Sequence, residues 1–269
     1  MNKSAWIGIA IALLLPLGGY FVMKLAGENA VDMPRRYFVD RIDTQVKDGK
    51  TTHDTIYHRL PDFNFINQLG ETVSLQDMEG RIVVINTFFT RCPNICPALT
   101  RNVRKLQQSF ENPKRKKYGD SSIVYFLSVS VDPQRDSVEA LKKWADRFYV
   151  NSDSWSLVTG KKEVIYPYLL DELKLSTRDG GEVDSNFIHT EKLVLVDRDH
   201  IIRGYYSGLD STHLQRLAED IGKLFLERDR NKPSVFRQFI PVLPFLMVIP
   251  VLVFLLMWWF NRKRSEEIY

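Results

Sequence analysis

Cysteine is nearly missing from this chain of 269 residues, which has only two, Cys92 and Cys96. That excludes a scaffold stapled by several disulfides. One-signed charge is scarce too: the formal excess of +4 is too small to point to a nucleic-acid partner. The one dense basic run, Lys114 to Lys117, reads as a solvated loop. No internal repeat or low-complexity tract is present, and no proline falls between Pro167 and Pro233. The length suits one domain with a full apolar core.

Two long uncharged runs are present, one near each end. Ala5 to Val22 spans eighteen residues without a charge, which at about 1.5 Å per residue reach roughly 27 Å, close to a bilayer core. A cleaved signal peptide is the alternative, but no convincing small-x-small cleavage site follows. Phe239 to Phe260 is a second such run, ending on Trp258 and Trp259 before Arg262, Lys263 and Arg264, an aromatic belt followed by basic residues. Both are expected to be transmembrane helices. The expected plan is an anchor over 1–23, a connector over 24–54, a domain over 55–230, a second span over 238–260 and a basic tail over 261–269. The short basic tails favour both termini in the cytoplasm. The soluble domain then lies on the outer, periplasmic side of a bacterial cytoplasmic membrane.

Between the runs, "FNFIN" and "TVSL" flank Gln68-Leu69-Gly70 as a hairpin, and "RIVVINTFF" and "SIVYFLSVSV" read as strands buried on both faces. A helix is expected from Pro97 to about Phe110, with proline at a first helical position. Val138, Leu141, Trp144, Ala145 and Phe148 recur at helical spacing, and Lys161 to Leu173 should hold another helix. "WSLVTG" is a short strand, "KLVLVD" and "IIRGYYSG" form a hairpin, and Leu214, Leu217, Ala218, Ile221, Leu224 and Phe225 stripe a closing helix. This order gives an α/β fold of the thioredoxin-like class, a central mixed sheet flanked by helices.

Cys92 and Cys96 fall where the first buried strand meets its helix, the usual ligand edge of an open α/β sheet. Backbone N–H groups and the helix dipole favour thiolate there. Three residues separate the cysteines, which lets both sulfurs face one point; thioredoxin-type reductases use two. Two thiolates suit copper(I), and an added imidazole would also hold copper(II). Of the five histidines, His189 lies in the turn before a late strand that faces the dithiol edge in this fold. His200, at the opposite hairpin turn, and His213, opening the last helix, read as solvated. His53 and His58 sit in the connector as surface residues.

"DFNFINQLGETVSL", "TFFTRCPNICP", "SVSVDPQRDSVEALKKWA", "FIHTEKLVLVD" and "IRGYYSG" resemble, in order and spacing, the SCO/SenC family of copper proteins that assist cytochrome c oxidase assembly, over about residues 55 to 228. The resemblance implies that Cys92, Cys96 and His189 bind a copper ion, Cu(I) or Cu(II). Asp132 matches the family's acidic position near the site, where it would support the ligands from behind; a turn residue before Pro133 is the other reading. Asn94 departs from the Asp often found between these cysteines, and two spans depart from the common plan of one.

The function expected is a membrane-anchored metallochaperone that delivers copper to the binuclear copper centre of a respiratory cytochrome c oxidase, with the oxidase copper subunit as partner. The alternative is a thiol-disulfide reductase acting through Cys92 and Cys96 on the oxidase's copper-site cysteines. Reductases of this fold place a cis-proline immediately before the late strand, where this chain has none. A peroxidase wants threonine three residues before its reactive cysteine, and Phe89 and Pro93 stand there. A structural disulfide in an interaction domain is the third reading.

Overall fold

The computed structural model describes residues 18–19, 32–47, 50–111, 123–175 and 190–227. Apart from Gly18 and Gly19, both long apolar runs lie outside these residues, and so do the two expected spans. No helix among the described residues is long and apolar enough to cross a membrane. All the elements below belong to the unit Met1–Glu227.

Nine strands and four α-helices, with a short 3-10 turn at Gln76–Met78, appear among the described residues. The strands are β1 (Val39–Lys47), β2 (Lys50–Tyr57), β3 (Phe65–Asn67), β4 (Thr72–Val73), β5 (Ile82–Phe88), β6 (Val124–Ser130), β7 (Trp155–Thr159), β8 (Lys192–Val196) and β9 (Ile202–Ser207). The helices are α1 (Ile95–Phe110), α2 (Val138–Arg147), α3 (Lys162–Pro167) and α4 (Ser211–Leu226). Seven strands form one sheet in the order β4-β3-β7-β6-β5-β8-β9. The central pairs β5·β6 and β6·β7 are parallel, whereas β5·β8, β8·β9, β3·β7 and β3·β4 are antiparallel. With its flanking helices this is the thioredoxin-like fold.

β5 and β6 are buried at every residue because both faces are covered. Ile82, Val84 and Phe88 pack with Leu99, Val103, Leu141, Trp144, Leu217 and Ile221, the apolar stripes of α1, α2 and α4. Val83 and Ile85 point the other way, into Phe63, Phe65, Ile165 and Leu169. Gly208, just past β9, has no room for a side chain: a Cβ would meet Leu99 and the Glu191 carbonyl. Its own carbonyl accepts from Asn102 Nδ2 at 2.9 Å, which draws α1 against that end of the sheet.

Two segments are more specific than the sequence reading. The connector, read as polar with some extended structure, holds a long antiparallel hairpin, β1·β2, paired from Val39↔Tyr57 to Lys47↔Lys50. The helix expected over 161–173 is α3 followed by a π-turn, Tyr168–Glu172. Leu173 N–H reaches back five residues to the Tyr168 carbonyl at 3.0 Å, a widening that follows directly on Pro167.

An ion cluster marks the end of the sheet where β8 finishes and β9 begins. Arg203 Nη1 contacts Asp197 Oδ2 at 2.8 Å and Glu227 Oε2 at 2.5 Å, and its Nε donates to the Pro34 carbonyl at 2.9 Å. Arg36 joins from the side, 3.1 Å from Glu227. The Tyr37 N–H donates to the Ile202 carbonyl, so the segment before β1 docks on the same place as the last residue after α4.

His200, expected to be solvated, is half-buried in the β8–β9 turn with φ 61°, and its Nε2 is enclosed with no hydrogen-bond partner among the described residues. Burial, with the Arg59 charge behind it, lowers its pKa below the ordinary 6.5, against a smaller opposing pull from Asp197, Glu79 and Asp62. The unfolded chain therefore binds more protons below about pH 6.5, and stability falls as pH falls through that window. Asparagine tolerates left-handed backbone and does not titrate. His200→Asn should flatten the loss of Tm that the wild type shows between about pH 7 and pH 5; thermal scans of both proteins at those two pH values test this.

Candidate functional site

The register places the β5 carboxyl end beside the start of β8, with Asn86 opposite Leu193. Cys92 and Cys96 follow that end of β5. Both are free thiols, buried at 5% and 2% exposure within the cluster that holds Phe88, Leu99 and Trp144. α1 begins at Ile95, two residues before the expected start at Pro97, so Cys96 is inside the first turn. The helix N-cap, Asn94, makes no side-chain cap bond. Instead the Cys96 N–H donates to Cys92 Sγ at 3.4 Å, a sulfur serving one of the unpaired first-turn N–H groups. Pro97 fits because the first turn has no intrahelical partner for the N–H that proline lacks.

The two thiols differ. Burial pushes the Cys92 pKa up, but the N–H groups of Cys96, Asn94 and Ile95 together with the Cys96 side chain outweigh it, and the net shift is down. Cys96 is pushed up to about 12, first by burial and then by the Cys92 sulfur and the Asp136 charge, against a bond from Phe89. Thiolate is thus favoured at Cys92 over Cys96, a more reactive sulfur beside a reserve one. Beneath them Thr100 Oγ1 donates to the Cys96 carbonyl at 2.7 Å and accepts from Trp144 Nε1 at 3.3 Å.

Asp132 is buried, and its carboxylate takes Arg91 at 3.1 Å and Arg135 at 3.5 Å. It also makes the turn that sequence alone allowed: its carbonyl accepts the N–H groups of Arg135 and Asp136. Arg91 adjoins Cys92, so Asp132 touches the thiol loop through that arginine. Asp136, which the sequence reading passed over, is wholly buried and accepts from Thr90 and Ser130. Its only signal in the sequence is its place in "VDPQRDS", where it reads as a residue leading into α2.

His189 lies outside the described residues. Its neighbour Thr190 is described, and the Thr190 carbonyl lies 3.5 Å from Thr87 Oγ1, at the β5 end that leads into the thiol loop. Of the other four histidines, three are hydrogen-bonded and one is remote from the thiols. His53 Nδ1 meets Thr44 Oγ1 in the hairpin, and His58 bridges Asp40 at 3.1 Å and Glu172 at 2.8 Å. His200 is at the far end of the sheet. His213 is at the thiol end, but its Nδ1 accepts the Ser207 N–H at 3.1 Å. That bond leaves the proton of the neutral ring on Nε2 and no free lone pair for a metal. Among the described residues no three His, Cys, Asp or Glu side chains gather as a metal site.

A family model described as SCO1/SenC matches residues 52–225. The chain belongs to the SCO1/SenC family. Its curated relatives include the "SCO1 protein homolog" of Bacillus subtilis, 28% identical over 174 residues, which cover 64% of this chain and 86% of that protein. Among solved structures, a SCO1/SenC family lipoprotein from Bacillus anthracis is 31% identical with a TM-score of 0.52, covering 62% of this chain and 95% of that one. BsSco, a member of the Sco family of cytochrome c oxidase assembly proteins in which a disulfide switch was identified, is 28% identical with a TM-score of 0.51, covering 64% of this chain and 95% of its own.

Proposed function

We propose that this SCO1/SenC protein is a membrane-anchored copper carrier for a respiratory cytochrome c oxidase. Copper is its cargo, held by Cys92, Cys96 and His189 and passed to the oxidase's binuclear copper centre. The observation that carries this reading is the free dithiol at the start of α1, with the chain at Thr190 brought to the same end of the sheet. Two sulfurs and one imidazole suit Cu(I), and the nitrogen donor also accommodates Cu(II). The resemblance to the family implies His189 as the third ligand; His200 is at the far end of the sheet and the His213 Nδ1 is taken by the Ser207 N–H. Three ligands at a sheet rim leave room for an incoming donor before an old one departs, so transfer proceeds by stepwise ligand exchange. The two apolar runs anchor the chain in the cytoplasmic membrane, with the domain over 55–230 on the outer side.

A second reading has a specific observation in its favour. The same dithiol is free and asymmetric, and the relative BsSco has a disulfide switch. Reduction of the oxidase's copper-site cysteines by Cys92 and Cys96 would use the same residues without the histidine. The test is a copper titration of the full-length reduced chain in detergent, beside His189→Ala. As a carrier, the wild type takes up one copper per chain. His189→Ala should then weaken Cu(II) by more than the roughly 10–100-fold typical of losing an outer-shell partner, with the dithiol potential unmoved. Equal Cu(II) affinity without the imidazole would remove His189 from the ligand set and favour the reductase.

A further inference from the structure

Asp136 makes no hydrogen bond to either thiol among the described residues, yet it is the most enclosed charge-bearing group at this end of the sheet. The β6–α2 loop turns on the Asp132 carbonyl and sends the Asp136 side chain inward. There Thr90 Oγ1 donates to Oδ1 at 2.5 Å, and the Thr90 N–H lies 3.3 and 3.2 Å from the two oxygens. Ser130 Oγ donates to Oδ2 at 2.5 Å and itself accepts from the Asp132 N–H. No arginine or lysine pairs with Asp136 among the described residues.

A buried carboxylate without a cation is costly unless several donors converge on it. Capping α2 does not explain the expense, because Ser137 is the cap and accepts the Ala140 N–H. What the Asp136 fork does hold is Thr90, two residues before Cys92. The thiol loop is also fixed by the Val131 N–H to the Phe88 carbonyl, the Cys92 N–H to the Phe89 carbonyl, the bond from Phe89 to Cys96, and the exposed Arg91 to Asp132. Cys92 Sγ must sit beneath the Cys96 N–H, so a shift of the backbone at Thr90 moves one sulfur relative to the other.

We propose that Asp136, acting through Thr90, is a positioning residue that sets the spacing of the Cys92 and Cys96 sulfurs for the copper cargo. This rests on the carrier reading above. The fork clamps both backbone and side chain of Thr90, so the dithiol is arranged before metal arrives and the binding step does not have to order it.

The experiment uses the full-length chain in detergent with three variants: Asp136→Asn, Thr90→Val and Thr90→Ser. Two constants are read on each: Cu(I) affinity by competition with a chromophoric chelator, and the dithiol–disulfide equilibrium against glutathione. Asp136→Asn and Thr90→Val should each weaken Cu(I) by about tenfold, the lower end for an outer-shell loss. Both should move the glutathione equilibrium in the same direction, whereas Thr90→Ser, which keeps the hydroxyl, stays with the wild type. Folded Asp136→Asn and Thr90→Val proteins with both constants unchanged would overturn the proposal. If Asp136→Asn does not fold, Thr90→Val against Thr90→Ser decides alone. If the wild type takes up no copper, the carrier reading falls, and the glutathione equilibrium still decides whether Asp136 sets the dithiol.

Discussion

Replacing either cysteine with serine should cost Cu(I) affinity on the order of a thousandfold, about 4 kcal/mol, because a soft cation loses one of two soft donors and gains a hard hydroxyl. The chain itself should stay folded. Serine is close to cysteine in shape, so Cys96→Ser leaves no cavity between Leu99 and Trp144, and in Cys92→Ser the new oxygen can accept the Cys96 N–H as an ordinary helix cap does. The expected result is therefore a pair of proteins with the circular dichroism of the wild type and no retained copper after exposure to a competing chelator. Retention of one copper per chain by Cys96→Ser would show that the helix thiol is not a ligand. The same protein would then also lack the reserve sulfur that a disulfide needs.

The largest expected loss of stability comes from Arg203→Ala. The arginine side chain is 2% exposed and that of Asp197 6%, so water does not screen the pair. Removing one partner of a buried pair costs about 3–5 kcal/mol, since the charge left behind keeps its desolvation penalty. Here the Pro34 carbonyl loses its arginine donors as well, and Glu227 keeps only Arg36. Arg36 is 4.0 Å from Asp197 and covers part of the deficit. For a domain of this size the Tm should fall on the order of 10 °C. Arg203→Lys keeps the charge without the fork and should fall between the two. By contrast Arg41→Ala, which breaks a pair 69% and 45% exposed, should change stability by less than about 1 kcal/mol. Thermal scans of the full chain in detergent check all three, and a wild-type Tm in Arg203→Ala would mean that the cluster contributes no net stability.

β5, β6, β8, β9 and the closing helix could be read from sequence because burial dictates their patterns: continuous apolar runs for strands covered on both faces, a 3.6-residue stripe for α4. The β1·β2 hairpin left no such trace. Its residues include the exposed Val39 and Ile42 among charged and hydroxyl side chains, so no alternation of apolar and polar marks a buried face. Pro97 misplaced the start of α1 by two residues because the group that satisfies the Cys96 N–H is a sulfur four residues back, which no capping rule anticipates. His200 looked like a turn residue, and it is one; the segment at Leu60, whose N–H bonds the His200 carbonyl across 140 residues of sequence, is brought against it only in the fold. Asp136 was hidden for a related reason. An aspartate just before a helix reads as local punctuation, and only the return of Thr90, from the loop after β5, gives its carboxylate a partner distant in sequence.

The Arg203 cluster also fixes a direction. Pro34 and Glu227, where the described domain receives and releases the chain, meet at the end where β9 begins, while the thiols lie past the other end of β5. Seven residues of strand measure about 23 Å. The first and last described residues of the domain thus share one end of the sheet, and the sulfurs lie toward the other.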